Sequence, residues 1–117
     1  MNGGFTVYEL KGDYEPWWLF EDWQTQIQKE HQFLSKDEAL AFYFQLASLM
    51  AGEFDHKKTK QWNAIAFWNS DDIEFCEACE DDILLYHGIM IMKDNRLFPI
   101  SNPEDIRRLE KIIPTSI

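Results

Sequence analysis

The run at residues 62–69, WNAIAFWN, constrains the fold more than any other part of the sequence. Its side chains alternate, with Trp62, Ala64, Ala66 and Trp68 on one face and Asn63, Ile65, Phe67 and Asn69 on the other. Both faces are partly apolar, which is typical of an interior strand that is covered on both sides. The small alanines between the tryptophans leave a shallow bed in which we expect a helix to lie.

The clearest helix signal begins at Ser35. Ser35 and Glu38 form a capping box, in which each side chain satisfies a free backbone N–H at the start of the helix. Apolar residues then recur at helical spacing until Gly52, which offers a stop. These apolar residues are Ala39, Phe42, Tyr43, Leu46, Leu49 and Met50. The pattern predicts a main helix over about residues 35–52, apolar around much of its circumference and therefore well buried against a sheet.

A second, shorter helix is predicted over about residues 103–112. Asn102 suits the capping position, and Pro103 suits the first helical position because its missing N–H has no partner there. An apolar stripe follows and ends at Pro114. Its members are Ile106, Leu109, Ile112 and Ile113.

The N-terminal part of the chain predicts a β-hairpin. Residues 5–10 and 14–20 are extended runs that flank the turn signal KGD. Pro16 cannot donate to a strand ladder, so we expect it at a sheet edge or at the start of a strand. Residues 21–31 predict a short helix or an ordered loop.

Further strands are predicted at residues 72–78 and 88–93. The second of these leads through Asp94–Asn95, a pair that tolerates positive φ, into another hairpin strand. Strands therefore outnumber helices, and neighbouring strands are joined by hairpins. The sequence predicts one α+β domain over residues 1–117, mainly an antiparallel sheet with one main helix packed on it.

The chain is strongly acidic. It has 21 Asp and Glu against 11 Lys and Arg, which gives a formal net charge of −10. Such a surface repels phosphate backbones and anionic lipid, so direct nucleic-acid binding and membrane adsorption are disfavoured. No window is apolar enough to span a membrane, and the first residues lack a secretory signal pattern, so we expect a cytoplasmic protein. The same charge favours a basic partner.

Cys76 and Cys79 form a CxxC motif, but its surroundings disfavour thiol redox chemistry. Residues 71–82 contain seven carboxylates and no Lys or Arg, which raises the thiol pKa. Zinc would need more ligands, either His87 with a carboxylate or the cysteines of a second chain in a homodimer. We expect no cofactor. A metal- or thiol-dependent site at Cys76, Cys79 and His87 is the alternative hypothesis.

Residues 14–23, YEPWWLFEDW, concentrate aromatic and acidic side chains. An extended segment would direct Trp17 and Trp18 to opposite faces, so we expect one ring in the core and the other exposed. Aromatic rings inside an acidic rim suit a basic or amphipathic segment of a partner protein, or a homodimer contact. The predicted partner-binding residues are Tyr14, Trp17 and Trp18 as anchors, with Glu15, Glu21 and Asp22 steering the partner.

The sequence also resembles a known family. The resemblance is carried by GDYEPWW at 12–18, FEDW at 20–23, AFWN at 66–69, Cys76–Glu77 and Tyr86–His87–Gly88. These residues are similar to an uncharacterised family of small acidic proteins of Gram-positive bacteria, the domain of unknown function 1033. The resemblance covers most of residues 5–98, and the segment after residue 98 is expected to lie outside it. It implies a bacterial, cytoplasmic setting and no activity.

Three functional hypotheses follow from these observations. The leading one is a non-enzymatic interaction or regulatory module that uses the surface around residues 14–23. The second is the enzyme or regulator centred on Cys76, Cys79 and His87. The third is an acidic mimic of nucleic acid that competes for a DNA-binding protein. With no nucleophile elbow and no glycine-rich phosphate loop, the sequence supports no particular reaction.

Overall fold

The computed structural model describes residues 4–77 and 81–113, and its architecture is α+β, as predicted. The strands, in chain order, are β1 (Phe5–Gly12), β2 (Ile27–Phe33), β3 (His56–Gln61), β4 (Ala64–Trp68), β5 (Ile73–Cys76), β6 (Asp81–Leu84), β7 (Tyr86–Lys93) and β8 (Arg96–Leu97). The helices are α1 (Lys36–Glu53) and α2 (Pro103–Ile112), and short 3₁₀ turns span Pro16–Trp18 and Trp23–Gln26.

The main sheet is antiparallel and six-stranded within the described residues. Its order is β2-β1-β7-β4-β3, and β8 pairs with the end of β7. β5 and β6 pair with each other in a separate two-stranded sheet. The predicted strand at 72–78 is therefore confirmed as β5, outside the main sheet. The predicted turn at Asp94–Asn95 is also confirmed, because φ is 52° and 64° at these residues.

Both predicted helices are confirmed, together with their capping residues. Ser35 Oγ accepts a hydrogen bond from the Glu38 N–H at 3.3 Å. Asn102 Oδ1 accepts hydrogen bonds from the N–H groups of Glu104 and Asp105 at 2.8 and 3.3 Å. These bonds satisfy donors that have no partner inside the helix, which fixes where each helix begins.

The helices cover one face of the main sheet. Strand alternation directs five fully buried residues to this face: Val7, Ile65, Phe67, Ile89 and Ile91. Tyr43 from α1 and Leu109 from α2 pack against them. The Tyr43 hydroxyl donates to the Trp62 carbonyl at 2.7 Å, which satisfies a polar group inside this core. α1 is less buried than its composition predicted, since Leu49 on its outer side is exposed.

The predicted hairpin between residues 5–10 and 14–20 is wrong. β1 pairs with β2 on one edge and with β7 on the other, so neither edge is open to residues 14–20. Those residues instead form a turn, the 3₁₀ turn at Pro16–Trp18, and a left-handed residue, Leu19 (φ 47°). Residues 27–31, which were expected in a short helix or ordered loop, instead belong to the edge strand β2.

The second face of the sheet carries a smaller core that the helices do not reach. Its buried members are Leu10, Ala64, Met90 and Met92. The bed at Ala64 and Ala66 was expected to take a helix, but the Pro16–Trp18 turn contacts β4 and β7 there. Gly88, paired with Ala66, belongs to this bed because a Cβ on it would lie 3.0 Å from Pro16 Cβ and Cγ.

The contact between Gly88 and Pro16 leads to a stability prediction. Gly88→Ala should lower the free energy of unfolding by about 1–3 kcal/mol, because the added methyl overpacks a rigid proline ring. Gly52→Ala is the matched control, since nothing lies within 4 Å of a Cβ built there. It should stabilise by about 0.5–1 kcal/mol, as alanine does in place of an exposed helical glycine. Urea unfolding measures both, and equal changes in the two variants would contradict the close packing of Pro16 on the sheet.

Candidate functional site

The segment at residues 14–23 crosses the second face of the sheet and presents different rings on its two sides. Pro16 starts the first 3₁₀ turn, where its fixed φ is already suitable, and its ring is buried. Trp17, Leu19 and Trp23 pack against the smaller core. Trp23 also meets Tyr8 of β1 edge-on, with ring centres 5.6 Å apart. The inner side of the segment is therefore part of the fold.

The outer side carries a group of three rings, which we call the aromatic surface: the half-buried Tyr14 and the exposed Trp18 and Phe20. Trp18 is 49% exposed and Phe20 is 50% exposed. Their rings are nearly parallel, at 5°, with centres 6.2 Å apart. Tyr14 meets Phe20 at 73° with a separation of 4.6 Å. The three rings therefore form one contiguous cluster, in which Phe20 contacts both Tyr14 and Trp18.

Two carboxylates hold the aromatic surface in place. Trp18 Nε1 donates to Glu15 Oε1 at 3.1 Å, and the Tyr14 hydroxyl donates to Asp22 Oδ1 at 3.2 Å. Partial burial, together with the Asp22 and Asp13 carboxylates, raises the pKa of Tyr14, so its hydroxyl keeps the proton that it donates. Glu15 and Asp22, predicted to steer a partner, thus also orient the rings.

Two lysines from β3 lie beside the aromatic surface. Lys58 Nζ lies 3.7 Å from Glu15 Oε2 and 6.0 Å from the centre of the Trp17 ring. Lys60 Nζ lies 5.0 Å from the centre of the Trp18 ring. The rim is therefore mixed in charge, not uniformly acidic. Of the three predicted steering groups, Glu15 and Asp22 bind the rings or a lysine, whereas Glu21 is exposed and makes no such contact within the described residues.

Trp17 and Trp18 differ in exposure, as predicted, but strand alternation is not the reason. The segment is not extended here, so strand alternation does not separate the rings. The 3₁₀ turn does: Trp17 is half-buried against the smaller core, and Trp18 is exposed. The sequence analysis missed Phe20, Lys58 and Lys60 as members of this site. The lysines of residues 56–61, HKKTKQ, are typical of an edge strand, but this pattern does not indicate which surface the strand lies beside.

The alternative site is only partly described. Cys79 and the side chain of Cys76 lie outside the described residues. His87 lies on the helix-covered face, where its Nε2 is 3.7 Å from Asp72 Oδ2 and its ring is 4.7 Å from that of Phe54. Asp72 Oδ2 also accepts from the Asn69 N–H at 2.7 Å. Among the described residues, no group of three or more His, Cys, Asp or Glu side chains is placed to hold a metal ion.

The fold and the site define an α+β domain that presents an ordered aromatic surface beside carboxylates and lysines. The chain belongs to the family described as protein of unknown function (DUF1033), whose model matches residues 4–113. The match confirms the resemblance seen in the sequence and corrects its extent, because residues 99–113 lie inside it. No curated protein and no solved structure gives a match. In the part of the chain that is described, no helix is both long and apolar enough to cross a membrane.

The surroundings of His87 lead to a prediction on pH. Burial lowers the pKa of His87 below its ordinary 6.5; Lys11 acts in the same direction, and the Asp72 carboxylate opposes them. The folded chain therefore binds this proton less readily than the unfolded chain does. The stability that neutral His87 provides is present above the unfolded pKa and is lost as pH falls through the folded pKa.

The wild type should thus lose more free energy of unfolding between pH 7.5 and pH 5 than His87→Gln, which cannot take up the proton. Urea unfolding at the two pH values measures the difference. His56→Gln controls for the loss of an imidazole as such. Equal losses in the wild type and His87→Gln would show that burial does not oppose protonation of His87.

Proposed function

We propose that this chain is a non-enzymatic interaction module whose aromatic surface, Tyr14, Trp18 and Phe20, binds a basic or amphipathic segment of a partner protein. We further propose a bacterial, cytoplasmic setting, which rests on the sequence resemblance and on the acidic composition with two cysteines. The parallel, half-exposed pair Trp18 and Phe20 carries the proposal.

The exposure of Trp18 and Phe20 supports a binding role, because other residues of the same segment cover the sheet and these two rings do not. Pro16, Trp17 and Trp23 cover the sheet, whereas Trp18 and Phe20 leave about half of their surface in water. Large aromatic side chains, and tryptophan and tyrosine in particular, contribute most to binding energy at protein interfaces. Because Trp18 and Phe20 already lie side by side, a side chain of the partner can pack against them without a prior rearrangement of the two rings.

The hydrogen bonds to Glu15 and Asp22 strengthen the case, because they order the rings before a partner arrives. Ordering a side chain on binding costs about 0.5–1.5 kcal/mol, and a surface that is already ordered avoids part of that cost. The net charge of −10 adds long-range attraction for a basic segment. By comparison, the described part of the alternative site offers His87 and Asp72, and that pair alone specifies no reaction.

The proposal predicts that defined peptides will bind through Trp18 and Phe20. A random peptide library displayed on phage is panned against the protein, and enriched peptides are synthesised and measured by fluorescence anisotropy. The double variant Trp18→Ala/Phe20→Ala should weaken their binding by about 2 kcal/mol or more, roughly thirtyfold, because anchors at an interface lose that much on truncation.

The matched control is Ile73→Ala/Phe75→Ala, which removes two other exposed apolar side chains, 53% and 59% exposed in β5. It should bind the same peptides as tightly as the wild type does. The proposal fails if no peptide is enriched, or if both double variants lose the same affinity.

A further inference from the structure

The aromatic surface already holds a cation in the free protein. The Lys60 ammonium group lies 5.0 Å from the centre of the Trp18 ring, within the range at which a cation is attracted to an indole face. Glu15 Oε1 accepts a hydrogen bond from Trp18 Nε1 at 3.1 Å, and Glu15 Oε2 lies 3.7 Å from Lys58 Nζ. The ring and the carboxylate beside it thus interact with positive charge from β3.

The arrangement around Trp18 is suited to a positively charged group. An indole face attracts cations through its quadrupole, and the nearby Glu15 carboxylate supplies full negative charge. Lys60 lies on the exposed strand β3, and a lysine side chain on a flexible stem gives up such a position at small cost. A planar guanidinium is less strongly hydrated than an ammonium and stacks on aromatic rings, so arginine is the better ligand for this ring.

We propose that the Trp18 ring binds a cationic side chain of the partner, preferably arginine, and that Lys60 occupies this position in the free protein as an intramolecular competitor. The inference rests on the proposed function and names the chemistry of its partner. Lys60 lowers the affinity for the cationic ligand, since the ligand must displace it. Removal of the Lys60 charge therefore strengthens binding, and only while the Trp18 ring is present.

A hexa-arginine peptide is the probe, measured by fluorescence anisotropy at physiological salt. Lys60→Gln should tighten its binding about two- to fivefold, the equivalent of an exposed cation–π contact. The control is Lys93→Gln, which removes the same charge from a lysine that lies 5.1 Å from a different ring, Phe5. Lys93→Gln should have a smaller effect, because it changes the net charge without vacating Trp18.

A double-mutant cycle separates ring-dependent displacement from simple charge removal. In a Trp18→Ala background, Lys60→Gln should no longer strengthen binding. The inference is overturned if the gain persists in that background, if Lys60→Gln equals Lys93→Gln, or if Lys60→Gln weakens binding. If Trp18→Ala itself leaves hexa-arginine binding unchanged, the role of Trp18 in the proposed function fails as well, which is a different outcome from the loss of the Lys60 effect alone.

Discussion

The rest of this structure depends on the need to bury a sheet that is apolar on both faces. Ile65 and Ile89 point towards the helices, while Ala64 and Met90 point away from them, and all four are fully buried. α1 and α2 cover the first face. The second face is covered by the short segment at residues 14–23, which has no regular strand or long helix of its own, together with Tyr8, Ile27 and Leu97. Burial on this side therefore relies on a few large side chains from a turn, and their removal should be costly.

The packing of residues 14–23 on the second face links the fold to the candidate function. The segment is held at Pro16, which lies close to Gly88, and by Trp17 and Trp23, which pack inwards. A tight 3₁₀ turn gives neighbouring residues different directions, so the ring next to Trp17 is directed outwards. The outward rings are ordered by hydrogen bonds to carboxylates of the same segment. The packing on the sheet and the candidate binding surface thus come from one stretch of chain, and two lysines of β3 lie beside that surface.

The sequence predicts the fold best where one local signal decides the outcome. The capping residues Ser35 and Asn102 locate both helices, and the alternation at residues 62–69 identifies the interior strand β4. The N-terminal topology could not be predicted in this way, because β1 pairs with β2 and β7 through contacts distant along the chain, and β2 is too polar to resemble a strand. The aromatic segment could be located but not its shape. Lys60 could not be assigned to the site, since its approach to Trp18 depends on how β3 packs in the sheet.

The central claim is that adjacent tryptophans have separate roles, one in the fold and one on the surface. The most direct measurement is the free energy of unfolding of Trp17→Ala and Trp18→Ala, determined by urea unfolding under the same conditions. Trp17→Ala should lose about 2–3 kcal/mol, somewhat less than a fully buried aromatic would, because its ring is only half-buried. Trp18→Ala should lose less than about 1 kcal/mol, because the ring is half exposed and does not pack into either core. Equal losses in the two variants would contradict the account, since the two rings would then contribute alike to the stability of the fold.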